Sequence, residues 1–229
     1  MPMVTQFLFR FNDLDIDKNK IHLMLGYEKS AVPELIKDMV DQAYLECHNL
    51  SDIEAAFQVY DEFILDNENF RLSVDSSLFH LGPAVCAELS GMEKTALVVS
   101  TAGKSISDMA TDFCHHENPI LGYIFDILGT LITEASCEQM KNHMRNIYCQ
   151  NGENLSNIYS PGYCEWDFTD QELLFSHFPK NICGIQLTES LLMIPVKSIS
   201  GIIGIGKNII CRKSICHQCS SKKCLYSNI

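Results

Sequence analysis

Four cysteines near the C-terminus, Cys211, Cys216, Cys219 and Cys224, fall within fourteen residues at separations of four, two and four. Thiolates this close in sequence converge on one ion with little loop entropy to overcome. The two-residue spacing of Cys216 and Cys219 is the knuckle common to zinc and iron-sulfur sites. Zinc modules usually put about a dozen or more residues between two cysteine pairs, so the compact set points to an iron-sulfur cluster. Structural zinc and a metal-free tail are the alternatives. Arg212, Lys213, Lys222 and Lys223 would offset the charge of metal-bound thiolates and raise a reduction potential. The other seven of the eleven cysteines are scattered singly and read as small core hydrophobes.

Three further groups bear on chemistry. Pro161, Gly162 and Tyr163 form a turn that sets a phenol beside bare backbone. Asp126 and Glu134 stand two turns apart near one face of an otherwise apolar helix. A carboxylate there needs a partner, either a ligand amine such as that of a sulfonium amino acid, or a cap or internal hydrogen bond. Thr95 to Ser100 reads as a buried strand that feeds Gly103 and a helix from about Lys104. This is a possible anion cradle or a plain connection, with one glycine and no Gly-x-Gly-x-x-Gly or Walker pattern. Cys114, His115 and His116 adjoin at a helix end and cannot all point at one ion.

The elements that must position these groups follow from periodicity. Val4 to Phe11 alternates, with Phe7, Phe9 and Phe11 on one face, as a strand does. A helix is expected from Asp17 to Gly26, and an amphipathic one after Val32 with Pro33 in its first turn. Two strands, Ala55 to Tyr60 and Phe70 to Val74, flank a polar turn at 66–69. A short helix runs from Gly82 to Leu89 and stops at Gly91. A long helix runs from Pro119 to about Cys149, apolar nearly all round in its first half and so central to the fold. A short helix with a Thr169/Glu172 capping box follows, then strands over Gly184–Thr188 and Ser198–Gly206.

Composition places the chain among ordinary globules, 46% hydrophobic and 20% charged over 229 residues. Before Gly206 lie 12 basic and all 29 acidic residues, a formal −17, whereas the last 24 residues carry five bases and no acid. The acidic body argues against nucleic-acid binding, which needs clustered cations. No signal pattern opens the sequence, and the longest apolar run carries Asp126 at its middle, so a cytoplasmic protein without a membrane span is expected. The composition break divides residues 1–206 from a cysteine-rich tail, 207–229.

Residues 158–206 resemble the activation (reactivation) domain of cobalamin-dependent methionine synthase. The matching segments are Pro161-Gly162-Tyr163, Leu187-Thr188-Glu189-Ser190 and Ser198 to Gly201; the Val98-Val99-Ser-Thr-Ala-Gly103 stretch, the central helix and the cysteine tail extend the likeness to stand-alone relatives of that domain. The resemblance implies an α+β fold, a twisted antiparallel sheet flanked by helices. It implies S-adenosylmethionine as methyl donor to a reduced cobalt, Tyr163 facing the corrinoid, and Glu189 supporting the site. Pro161, Gly162, Ser200 and Gly201 would let a flat ligand approach, with Asp126 and Glu134 taking the ligand amine. The sequence lacks the Asp-x-His-x-x-Gly loop that binds cobalamin, so the expected partners are a corrinoid-binding methyltransferase without its own activation domain, and an electron donor. The family arginine that grips the S-adenosylmethionine carboxylate is Ile158 here. Losing such a charge-assisted bond costs about 1.5–3 kcal/mol, which raises the alternative of a non-enzymatic corrinoid-protein-binding or electron-transfer module.

Overall fold

The apolar, β-branched run at 95–100 lies at the centre of a five-stranded antiparallel sheet in a computed structural model that describes residues 2–27 and 31–211. In chain order, β1 (Thr5–Phe9) leads to α1 (Lys18–Met24) and α2 (Glu34–Cys47). Next come β2 (Ile53–Tyr60) and a meander of β3 (Phe63–Asp66), β4 (Arg71–Val74) and β5 (Ser77–His80). Then follow α3 (Gly82–Leu89), β6 (Lys94–Thr101), α4 (Lys104–Asp112) and α5 (Pro119–Tyr148). Short elements β7 (Asn154–Leu155), α6 (Asp170–Ser176), β8 (Gln186–Leu187) and β9 (Met193–Ile194) precede β10 (Ser198–Gly206).

The large sheet runs β1-β2-β6-β10-β7 and the meander forms a second sheet. Alternation divides the central strand between two cores. Ala96 and Val98 join a cluster with α2 and α5, while Leu97 and Val99 join one built from β4, β5, α3, Trp166 and Leu174. This is the expected α+β fold, a curled antiparallel sheet flanked by helices. By length and composition α5 would pass for a membrane span, yet 67% of its apolar window is buried inside the protein, as in a core helix.

Several local expectations are corrected. The region 63–80 holds three paired strands rather than one, because Asp75 adopts a left-handed conformation and closes a second tight turn that the sequence does not advertise. Thr169 makes no capping bond; the carboxylate of Asp167 instead accepts from its backbone N–H at 2.9 Å and its hydroxyl at 2.7 Å. The strand expected over 184–188 shrinks to two residues, since Asn181 and Cys183 are left-handed and form a 3-10 turn just before it. The connection at Gly103 is filled from within. Asp52 occupies the space a side chain would need there and accepts from Ser105 N–H at 2.8 Å, so a protein carboxylate stands where an anion would.

Candidate functional site

The chain before the tyrosine turn lies antiparallel to β10 at one bridge, where Tyr159 and Ile202 exchange backbone hydrogen bonds of 3.0 and 2.8 Å. Tyr159 packs into the second core and Ile158 against the first. The chain then heads toward the Ser198 end of β10 and turns out. Pro161 is buried, Gly162 is exposed at φ +88°, and Tyr163 is 47% exposed. The phenol therefore does not turn into the interior.

The turn is strained and strongly held. Cys164 and Glu165 both have positive φ, 43° and 73°, which costs non-glycine residues about 1–3 kcal/mol each and persists only where the surroundings impose it. Gly162 N–H donates to Trp166 O at 2.9 Å, Trp166 N–H to Tyr163 O at 2.8 Å, and Tyr163 N–H to Ser160 O at 3.0 Å. Underneath, Gly82 has no side chain because the Cys164 carbonyl oxygen lies 3.0 Å from where its Cβ would be.

Two expected ligand positions are corrected. A Cβ on Gly201 would collide with the Tyr159 carbonyl oxygen and lie 2.6 Å from Ile158 Cγ2, so this glycine seats the strand before the tyrosine turn and is no open floor. Ser200 is buried, its hydroxyl 2.8 Å from Gln171 Nε2 and 3.1 Å from Gln171 Oε1, which leaves it facing the core.

Glu189 is exposed in the tight turn that joins β8 and β9, closed by Thr188 N–H donating to Leu192 O at 2.9 Å. Asp126 and Glu134 do not converge. Asp126 pairs with Lys197 Nζ at 2.9 Å beside a cleft of about 280 Å³ also lined by Cys114, His115 and Tyr123. Glu134 lines a separate cleft of about 400 Å³ with Asp15, Asp17, Lys20 and Glu138, a volume within the range of small-molecule sites. Eight residues on one helix advance the side chain by about 80° and 12 Å, which is enough to part them.

Among the described residues no three His, Cys, Asp or Glu side chains group closely enough to hold a metal ion. Cys211 is exposed, its thiol 3.3 Å from Asn157 Oδ1. Cys216, Cys219 and Cys224 lie outside the described residues. Cys114 packs on Gly122 of α5 within a π-helical turn, and His115 and His116 beside it are exposed. The thiols of Cys47, Cys137 and Cys183 are pushed up to about 12, in each case mainly by burial, as expected of core residues.

The residues that sequence reasoning missed are those beneath the tyrosine turn. Asp170 is buried, and its Oδ2 accepts from His80 N–H at 2.6 Å and from the indole N–H of Trp166 at 2.8 Å. Nearby, His177 is buried with Nδ1 2.7 Å from the Tyr60 hydroxyl; burial pushes its imidazole below the usual range. An acid at the first position of a helix ordinarily reads as a complement to the helix dipole, so sequence carried no sign of Asp170's second role.

No curated protein matches the chain. A crystal structure of the MetH reactivation domain bound to AdoHcy aligns with a TM-score of 0.64 over 89% of this chain and 78% of that one, at 16% identity, a likeness of fold. Residues 75–209, more than half of the chain and including the tyrosine turn, Glu189 and β10, match the family described as vitamin B12 dependent methionine synthase, activation domain, and the chain belongs to that family.

Proposed function

We propose that this protein reactivates a cobalamin-dependent methyltransferase of the methionine synthase kind, acting on a corrinoid held outside these 229 residues. The observation that carries the reading is the half-exposed Tyr163 on a strained turn, at the segment that matches the family. Tyr163 and the bare backbone of Gly162 lie against the flat face of the corrinoid, and Glu189 supports the rim. The acidic cleft at Glu134 suits the ammonium and sulfonium charges of S-adenosylmethionine, with Lys20 the cation for its carboxylate. Asp126, already paired to Lys197, is left out of that set. The ligands supply the chemistry, one-electron reduction of cobalt(II) and then methyl transfer from the sulfonium; this chain binds, orients and excludes water.

Four cysteines, Cys211, Cys216, Cys219 and Cys224, form the proposed entry point for the electron as an iron-sulfur cluster, with structural zinc as the alternative. Iron with labile sulfide in anaerobically purified protein supports the first; zinc without sulfide removes the electron-entry role. Partner and electron donor are expected in the cytoplasm, and the acidic body keeps nucleic acid away.

The test uses a methionine synthase lacking its activation domain, its cobalt in the Co(II) form, with a chemical one-electron reductant and methyl-labelled S-adenosylmethionine. Label reaching the corrinoid faster when this protein is added supports the proposal, and an unchanged rate contradicts it. Ile158 favours a second reading, a module that holds the corrinoid protein without methyl-donor affinity. Calorimetry with S-adenosylmethionine separates the two, since no heat up to millimolar ligand leaves only the second.

A further inference from the structure

The geometry points to Asp170 as a positioning residue: by joining β5 to Trp166, its carboxylate holds the strained Tyr163 turn in the conformation that meets the partner. This rests on the proposed role of Tyr163 and deepens it.

Two consecutive non-glycine residues, Cys164 and Glu165, sit in the left-handed region, where a side chain is disfavoured, so something outside the turn must hold them there. Two of the three bonds within the turn pass through Trp166, whose backbone N–H and C=O tie it to Tyr163 and Gly162. Trp166 is 2% exposed and its ring meets Phe79 edge-on, with centroids 6.3 Å apart. Packing of this kind fixes the plane of the ring, but a buried indole N–H also requires an acceptor. That acceptor is Asp170 Oδ2, at 2.8 Å.

The same oxygen takes the backbone N–H of His80 at 2.6 Å. Asp167 N–H donates to His80 O at 3.4 Å, so both backbone groups of His80 meet this segment. Gly82, two residues further, lies directly under the strained pair. A single carboxylate thus ties the sheet, the tryptophan and the first turn of α6 together. Remove it and the turn keeps its internal bonds but loses the tether, and Cys164 and Glu165 are then free to relax toward ordinary conformations that carry Tyr163 away.

Trp166 is the chain's single tryptophan, so its emission reports on this turn alone. Asp170→Ala in the full chain should speed hydrogen exchange at the Gly162 and Trp166 amides by about tenfold or more, the worth of one hydrogen bond to a charged acceptor. It should also open Trp166 to acrylamide quenching, with exchange in β6 and β10 unchanged. Asp170→Asn, whose amide oxygen accepts both N–H groups, should restore most of the protection. Adding Glu165→Gly to Asp170→Ala, which removes the left-handed penalty, should restore part of it.

In the reactivation assay, Asp170→Ala should raise the half-saturating protein concentration by about tenfold while leaving the heat of S-adenosylmethionine binding unchanged; a general structural defect would reduce that heat as well. Exchange and quenching within twofold of the unaltered protein would overturn the inference, as would Asp170→Asn behaving like Asp170→Ala. Should Asp170→Ala not fold, Trp166→Phe, which removes the indole donor together with part of the ring, carries the same exchange test. If the unaltered protein reactivates nothing, the functional reading fails, while the exchange data still decide whether Asp170 holds the turn.

Discussion

On one side of β6, Ala96 and Val98 pack under α2 and α5, among residues brought in by regular helices and strands. On the other, Leu97 and Val99 share a core with Trp166, Phe79, Leu174 and Ile182, which arrive on a loop, a short strand, a short helix and a 3-10 turn. All seven non-glycine residues with positive φ among the described residues, Phe70, Asp75, Cys164, Glu165, Asn181, Cys183 and Leu191, fall in segments of the second side. Buried polar anchors concentrate there too: Asp170 and Trp166, Gln171 and Ser200, Tyr60 and His177. The helical side has buried polar contacts of its own, such as Ser100 with Ser136 at 2.7 Å, but no left-handed non-glycine residue among the described ones. The irregular side stores strain that specific bonds must hold, the condition in which a surface can be shaped for a partner.

Phe125, fully buried on the inner face of α5, should cost about 3–5 kcal/mol on Phe125→Ala, read from denaturant unfolding; a loss below about 1 kcal/mol would mean that the helical side is not the stabilising one. Lys20→Ala should weaken S-adenosylmethionine binding by about tenfold or more, the value of a charge-assisted bond, as seen by calorimetry; an unchanged affinity would remove the Glu134 cleft as the site. Gly201→Ala should cost about 1–3 kcal/mol in thermal unfolding, through overpacking against Tyr159 and Ile158.

Smaller effects sharpen the contrast. With thiols pushed up to about 12, Cys47, Cys137 and Cys183 should resist iodoacetamide in the folded protein, whereas the exposed Cys114 should be alkylated, as peptide mass spectrometry would report. His177 is depressed below its ordinary 6.5 by burial, partly offset by Asp75. The unfolded chain therefore binds the proton first. The contribution of His177 is complete above pH 6.5 and is lost as pH falls below it. Melting temperature should decline over that acid range, and His177→Phe should flatten the decline.

Much of the helical side was legible in the sequence, and the reason is period. The spacing of Ile36, Val40, Ala43 and Cys47, and the apolar run opened by Pro119, predict α2 and α5 within a residue or two. The tyrosine turn was legible as a turn, because proline and glycine announce one locally. Its foundations were not, since they are contacts across long separations: Asp170 to His80 spans 90 residues, and Gln171 to Ser200 spans 29. Gly201 misled for a related reason. A glycine in a strand signals the close approach of something, but sequence alone does not say whether that is a ligand or the protein's own chain.

Tyr163→Ala, measured in the corrinoid reactivation assay beside its own melting curve, tests the central claim most directly. Tyr163 is half exposed, so truncating it should leave stability within about 0.5 kcal/mol while methyl transfer to the partner's cobalt falls at least tenfold. Full reactivation by a stably folded Tyr163→Ala protein would contradict the account.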